Sequence, residues 1–118
     1  MGLIKLPDIN TIIEINERLT GTKCNIDRRK KVPACFSSYY FYDTLEMQIA
    51  SIVVSLIKGH FFIDGNKRTA LMTYFVLCND NGIKYVTNKK TQARIFEEIA
   101  SGTHKPIEYY VKLLFPKK

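Results

Sequence analysis

Residues 45–57, LEMQIASIVVSLI, set the strongest constraint on the fold. Leu45, Ile49, Ile52, Val53 and Leu56 recur at helical spacing, and Ala50, Val54 and Ile57 carry the apolar surface on around the cylinder. A helix apolar on most sides has no face to give to water, so other elements must wrap it. The remaining sequence supplies them. Asp8 can cap a first helix with Ile9, Ile12 and Ile13 on one face, Leu19 further on, and Gly21 as its stop. Asp43 with Glu46 reads as a capping box for the central helix, and Gly59 stands where a left-handed residue commonly ends one. A second apolar helix runs from about Asn66 to Asn79 or Asn81, with Ala70, Leu71, Tyr74, Phe75, Leu77 and Cys78, and stops at Gly82. Ile83 to Val86 reads as strand-like. Thr91 to Ser101 turns Ile95, Phe96 and Ile99 inward and ends at Gly102. Pro106 suits the first turn of a last helix with the stripe Ile107, Tyr110, Val111 and Leu114. The expected fold is an all-α, compact bundle of five or six helices with a small β-like excursion, one domain over residues 1–118.

The segment 22–42, TKCNIDRRKKVPACFSSYYFY, breaks the helical pattern and reads as irregular or β-like. Its run Arg28-Arg29-Lys30-Lys31 is most simply a solvated loop, and its aromatics Tyr39 to Tyr42 a covered cluster. A chain of 118 residues that is 46% hydrophobic can build a core without disulfides or metal. Lys and Arg number 18 against 11 Asp and Glu, a net charge of +7 that suits a nucleotide, nucleic acid, acidic protein or membrane surface. Cys24, Cys35 and Cys78 are odd in number and widely spaced, with no CxxC and neither histidine nearby. A zinc site is not expected, and reduced thiols fit a cytoplasmic protein. The leading MGLIKLPD has no long apolar stretch, so no signal peptide is expected, and Ile49–Ile57 is too short to span a bilayer.

Between the two apolar helices lies HFFIDGNKRTAL, residues 60–71. It ends one helix and opens the next. A helix N-terminus presents unpaired N–H groups and a partial positive charge, which suits phosphate. Gly65 allows close approach of a ligand. Asn66 can cap the helix or contact that ligand. Lys67 and Arg68 are cations in a first turn, where each costs about 0.3–1 kcal/mol. Their placement makes sense if an anion neutralises them, Arg68 gripping two oxygens and Lys67 acting as a point charge. His60 carries an imidazole, the side chain that most often serves as a general base. Asp64 is a hard oxygen ligand suited to Mg²⁺ held with nucleotide phosphates. Phe62 alternates with both and can anchor the loop. Base, metal ligand and phosphate cradle are the parts for transfer from a nucleoside triphosphate. Each residue alone also has an ordinary structural role, as cap, solvated charge or carbonyl partner.

The stretch resembles the signature of the Fic/Doc family, His-x-Phe-x-(Asp/Glu)-(Gly/Ala)-Asn-x-Arg, with every fixed position filled by His60, Phe62, Asp64, Gly65, Asn66 and Arg68. The likeness extends through the helices on either side. It implies that His60 deprotonates a target hydroxyl, Phe62 anchors the loop, Asp64 holds Mg²⁺, and Gly65, Asn66, Lys67 and Arg68 bind the phosphates of ATP. The adenylyltransferase branch has Gly between the Asn and the Arg, and a second Arg three residues on; here these are Lys67 and Leu71. Phe61 replaces the proline usual in that branch. GNKRTAL is similar instead to the Doc, or death-on-curing, toxins. That resemblance implies a kinase that binds the nucleotide in the reversed sense and passes its γ-phosphate to a threonine of elongation factor Tu. A protein adenylyltransferase using the same loop is the alternative. A non-catalytic basic module, for example for nucleic acid, is the reading from another class, and a complete motif argues against it. No Ser or Thr is followed by Glu four residues later, so the family's inhibitory helix pattern is missing from these residues. A separate, acidic antitoxin protein is therefore an expected partner.

Overall fold

The structure is a computed structural model that describes residues 3–115. Met1 and Gly2 of the leading MGLIKLPD, and the last three positions of the expected 1–118 domain, lie outside the described residues. Six α-helices follow in order: α1 Ile9–Thr20, α2 Ile26–Lys31, α3 Leu45–Lys58, α4 Asn66–Asp80, α5 Lys89–Ser101 and α6 Ile107–Leu114. Among the described residues there is no strand, and no helix is long and apolar enough to cross a membrane.

Helix α3 is the axis of the bundle, as its patterning requires. Residues 49–54, Leu56 and Ile57 are all buried, and α4, α5, α6 and the turns before it pack around it. Each large aliphatic side chain buried this way contributes about 1.5–3 kcal/mol. The one polar side chain in that run, Ser51, shares a 3.0 Å hydrogen bond with Ser38. The helix starts one residue later than expected from the sequence. Thr44 is the cap, accepting from the Met47 N–H at 3.1 Å, and Asp43 stands outside it.

Helix α4 buries a narrow face of small and apolar residues, Thr69, Ala70, Thr73, Tyr74, Leu77 and Cys78, against α3 and α1. Thr73 returns its hydroxyl to the Thr69 carbonyl. Tyr74 ties the far end together: its hydroxyl donates to Leu114 O at 2.6 Å and accepts from Val86 N at 3.1 Å.

The β-like excursion is absent, for local reasons. At residues 83–86 the Val86 N–H goes to Tyr74 and its carbonyl accepts from Gln92 Nε2 at 2.7 Å. Side chains thus take the groups that a strand partner would have needed. In residues 22–42, Asn25 caps α2 by accepting from Arg28 N. Two 3₁₀ turns, Val32–Phe36 and Tyr39–Phe41, follow. Pro33 sits in the first turn of the former, where its fixed φ is favourable. Val32 and Cys35 are fully buried beneath it. Helix α5 begins at Lys89, two residues before Thr91, because Asn88 caps it, and Pro106 is the cap of α6 rather than its first residue.

Candidate functional site

The loop between α3 and α4 is shaped by an exchange of roles at its start. Gly59 is not the left-handed residue; its backbone is helical, φ −80° and ψ −12°. His60 is left-handed instead, with φ 51°, the sole non-glycine among the described residues with positive φ. Gly59 is required for a different reason. A Cβ there would lie 2.6 Å from the Ser55 carbonyl oxygen and 2.6 Å from Phe61 Cε2. The position after a helix cap is where glycine is ordinary, and a β-carbon there costs about 1–2 kcal/mol. A residue that holds such a conformation is a reason to look for chemistry. The His60 ring is exposed and no described residue hydrogen-bonds it. Its backbone carbonyl accepts from Arg28 Nη1 at 2.7 Å.

The loop then turns one side chain in and the next two out. Phe62 is buried in the core, while Ile63 and Asp64 face out. Asn66 closes the loop back on Phe62: its Oδ1 accepts from Phe62 N at 3.0 Å and its Nδ2 donates to Phe62 O at 2.8 Å. The amide of Asn66 therefore acts as a clamp on the loop, and both its ends are engaged. Asp64 accepts twice from its surroundings, through its carbonyl from Asn16 Nδ2 at 2.8 Å and through Oδ1 from Gly65 N at 2.8 Å.

Gly65 fits for two reasons. Its φ is 75°, and a Cβ would lie 2.9 Å from Thr20 Cγ2 on α1. Glycine is what lets the loop lie against that helix. Among the described residues no side chain caps α4, so its first N–H groups lack a capping acceptor, and negative charge is favoured there.

Lys67 and Arg68 leave the first turn of α4 on opposite sides. Lys67 pairs with Glu97 on α5, and Arg68 Nη2 donates to Leu19 O at the end of α1, at 3.2 Å. The anion expected to neutralise them is supplied for Lys67 by the Glu97 carboxylate, while Arg68 meets only a neutral carbonyl. Both contacts are exposed, and contacts of this kind are worth about 0–1 kcal/mol, so a phosphate can displace them.

Asp64 also lines a cavity of about 130 Å³ between the end of α1, residues 22–25 and the loop, together with Asn16, Lys23, Arg28 and Phe62. His60, Lys67 and Arg68 do not line it. Among the described residues no three His, Cys, Asp or Glu gather as a metal cluster. A single exposed carboxylate does not make a protein cage. It does fit Mg²⁺, which keeps waters and is held by one or two carboxylates plus substrate phosphates.

Two residues that shape the site escaped the sequence reading. Asn16 is 4% exposed and bonds both Asp64 O and Thr69 Oγ1 (3.0 Å). Its signal was available: it is a polar residue on the face of α1 that carries Ile12 and Ile13. Arg28 belongs to the run read as solvated, and nothing in its sequence separates it from its neighbours. A model of the Fic/DOC family matches residues 7–78, which takes in α1 through most of α4 and the whole loop. No curated protein gives a significant match.

Proposed function

Because this chain belongs to the Fic/DOC family, we propose that it acts as a Doc-like toxin. On this reading it passes the γ-phosphate of ATP to a Ser or Thr hydroxyl of a translation protein, of the elongation factor Tu type. Members of the family are typically transferases that modify proteins, with ATP as substrate and generally with Mg²⁺. The choice of the γ-phosphate rests on Lys67 and Leu71 in the places where the adenylyltransferase branch has Gly and Arg.

The observation that carries the reading is His60. A left-handed histidine, its ring exposed and hydrogen-bonded by no described residue, opens the loop that leads into a helix N-terminus with no side-chain cap. In the transfer, a ring nitrogen of His60 takes the proton of the target hydroxyl. The hydroxyl oxygen forms its bond to the γ-phosphorus, the bond to the β,γ-bridging oxygen breaks, and ADP leaves with that oxygen. The open N–H groups of α4, with Lys67 and Arg68, hold the phosphates. Asp64 would hold Mg²⁺, which offsets phosphate charge when bound. Phe62, Asn66 and Asn16 keep the loop in one shape, and a positioned base contributes about 10²–10⁴ in rate.

The basic surface also supports an acidic antitoxin segment as partner, within the cytoplasm. The test is incubation with Mg²⁺, a bacterial lysate and ATP labelled at the α or the γ phosphate, with His60→Ala as control. His60-dependent label from the γ position alone supports the kinase. Label from the α position makes the protein an adenylyltransferase. No His60-dependent label from either overturns the assignment of His60 as base.

A further inference from the structure

Arg28 and Arg29 are neighbours in one basic run, yet they leave α2 in different directions. Arg29 Nη2 donates to Glu17 Oε2 at 3.2 Å, and the same oxygen accepts from Cys24 N at 2.8 Å. These bonds hold the start of α2 against α1, and together with Lys23 and Arg29 they keep the Glu17 carboxyl below its ordinary range. Fully buried Val32 and Cys35 fix the chain just beyond the helix. Lys30 and Lys31 are exposed, as a solvated run should be, but Arg28 and Arg29 are half-buried. From this fixed base Arg28 reaches across 32 positions of sequence to donate Nη1 to the His60 carbonyl at 2.7 Å.

We propose that Arg28 is a positioning residue for His60, a latch that holds the His60 peptide and so aims its ring. The inference rests on the reading of His60 as the base. A residue's φ and ψ together set where its β-carbon points, and the orientation of its carbonyl fixes ψ. A cationic donor makes a shorter and roughly twofold stronger hydrogen bond than a neutral one. That matters most where the backbone sits in a sparsely populated region and has ordinary conformations to fall back to. Arg28 holds the carbonyl and leaves the ring unencumbered. It also lines the cavity beside Asp64, so α2 is coupled to both halves of the loop.

The experiment compares Arg28→Ala, Arg28→Lys and Lys30→Ala in the γ-phosphate transfer assay. Melting is followed in parallel, and the His60 ring resonances are followed by ¹⁵N NMR. Misaiming a catalytic group by about 1 Å can lower the rate up to a hundredfold. Arg28→Ala should therefore lower kcat by about ten- to a hundredfold, with KM for ATP within about twofold. The His60 ring signals should broaden or shift, and free guanidinium should restore part of kcat. Arg28→Lys should fall between, and Lys30→Ala should match the parent. A kcat unchanged in Arg28→Ala, or a rise in KM alone, overturns the latch; the latter would make Arg28 a phosphate ligand. Should Arg28→Ala fail to fold, the same readings on Arg28→Lys decide. If His60→Ala stays active, the base assignment has failed; if His60→Ala is dead and Arg28→Ala is normal, only the latch has failed.

Discussion

Replacing His60 by glycine should separate what the position does for the fold from what it does for chemistry. The backbone there is left-handed, φ 51°. A β-carbon in that conformation costs about 1–2 kcal/mol. Glycine removes that cost but loses about 0.5–1 kcal/mol through its greater freedom in the unfolded chain. The difference favours His60→Gly over His60→Ala by roughly 0.5–1 kcal/mol, or about 2–6 °C in melting temperature. Alanine is the right comparator, because both variants lack the ring. The neighbouring change has the opposite sign. Gly59 has an ordinary helical φ of −80°, but alanine there meets Ser55 O and Phe61 Cε2 at 2.6 Å. Overpacking of that kind costs about 1–3 kcal/mol. Calorimetry on the three variants, with transfer assays alongside, tests the set. His60→Gly should melt above His60→Ala, Gly59→Ala should melt lowest, and both His60 variants should be inactive. If His60→Gly melts below His60→Ala, the strain is not at His60. If His60→Gly retains transfer, the ring is not the base.

Three further outcomes follow from the same geometry. Asn66→Ala leaves the Phe62 N–H and carbonyl without their partner, so the urea midpoint should drop by the equivalent of about 1–3 kcal/mol; an unchanged midpoint would rule out the clamp. Glu97→Ala frees Lys67 from its ion pair. Exposed pairs are worth up to about 1 kcal/mol, so calorimetric titration at low salt should find ATP bound up to about fivefold more tightly, a gain that fades at high salt. Finally, burial pushes the thiols of Cys35 and Cys78 up to about 12. The folded state keeps these protons where the unfolded chain, with ordinary thiols near 9.0, releases them. Stability is thus fully present below about pH 9 and is lost as pH rises toward about 12, by up to about 1.4 kcal/mol per pH unit for each thiol. Urea midpoints taken from pH 8 to 10.5 should fall in the parent and fall less steeply in a Cys35→Ala, Cys78→Ala variant.

What the sequence disclosed depended on whether one segment carried the whole signal. The helix 45–58 announces itself because its apolar period is complete within its own length, and the motif 60–71 because its spacing is fixed. Residues 22–42 carry no such period. Helix α2 has six residues, too few for a pattern, and it holds its place through Glu17 and through buried Val32 and Cys35. Those are contacts between segments, which no local window contains. The same reason hid Arg28 among four adjacent cations, and hid Glu97 as the partner of Lys67 from thirty positions away. Gly59 and His60 failed differently. A glycine at a helix end is usually the left-handed residue, but here the Phe61 ring and the Ser55 carbonyl claim the space of its Cβ, and the turn moves one residue on.

The roles within the motif divide cleanly once the contacts are known. Phe62, Gly65 and Asn66 make the loop: one is buried, one lies against α1, and one binds the loop to itself. His60 and Asp64 are exposed, and among the described residues no side chain caps the first N–H groups of α4. A loop fixed by its own backbone would hold a phosphate equally well for transfer of AMP or of the γ-phosphate, since the open amides recognise any anion of that size. The choice must then come from the groups around it. Arg68 lies toward α1 and Lys67 toward α5. Leu71, where the adenylyltransferase branch carries its second Arg, packs half-buried against the core. On the proposed reading a triphosphate at this loop would meet charge on either side of the first turn of α4, while Leu71 offers no second cation. On that reading the nucleotide would place its charge density toward the first turn, and the α- and γ-labelled nucleotides test this asymmetry rather than the shared loop.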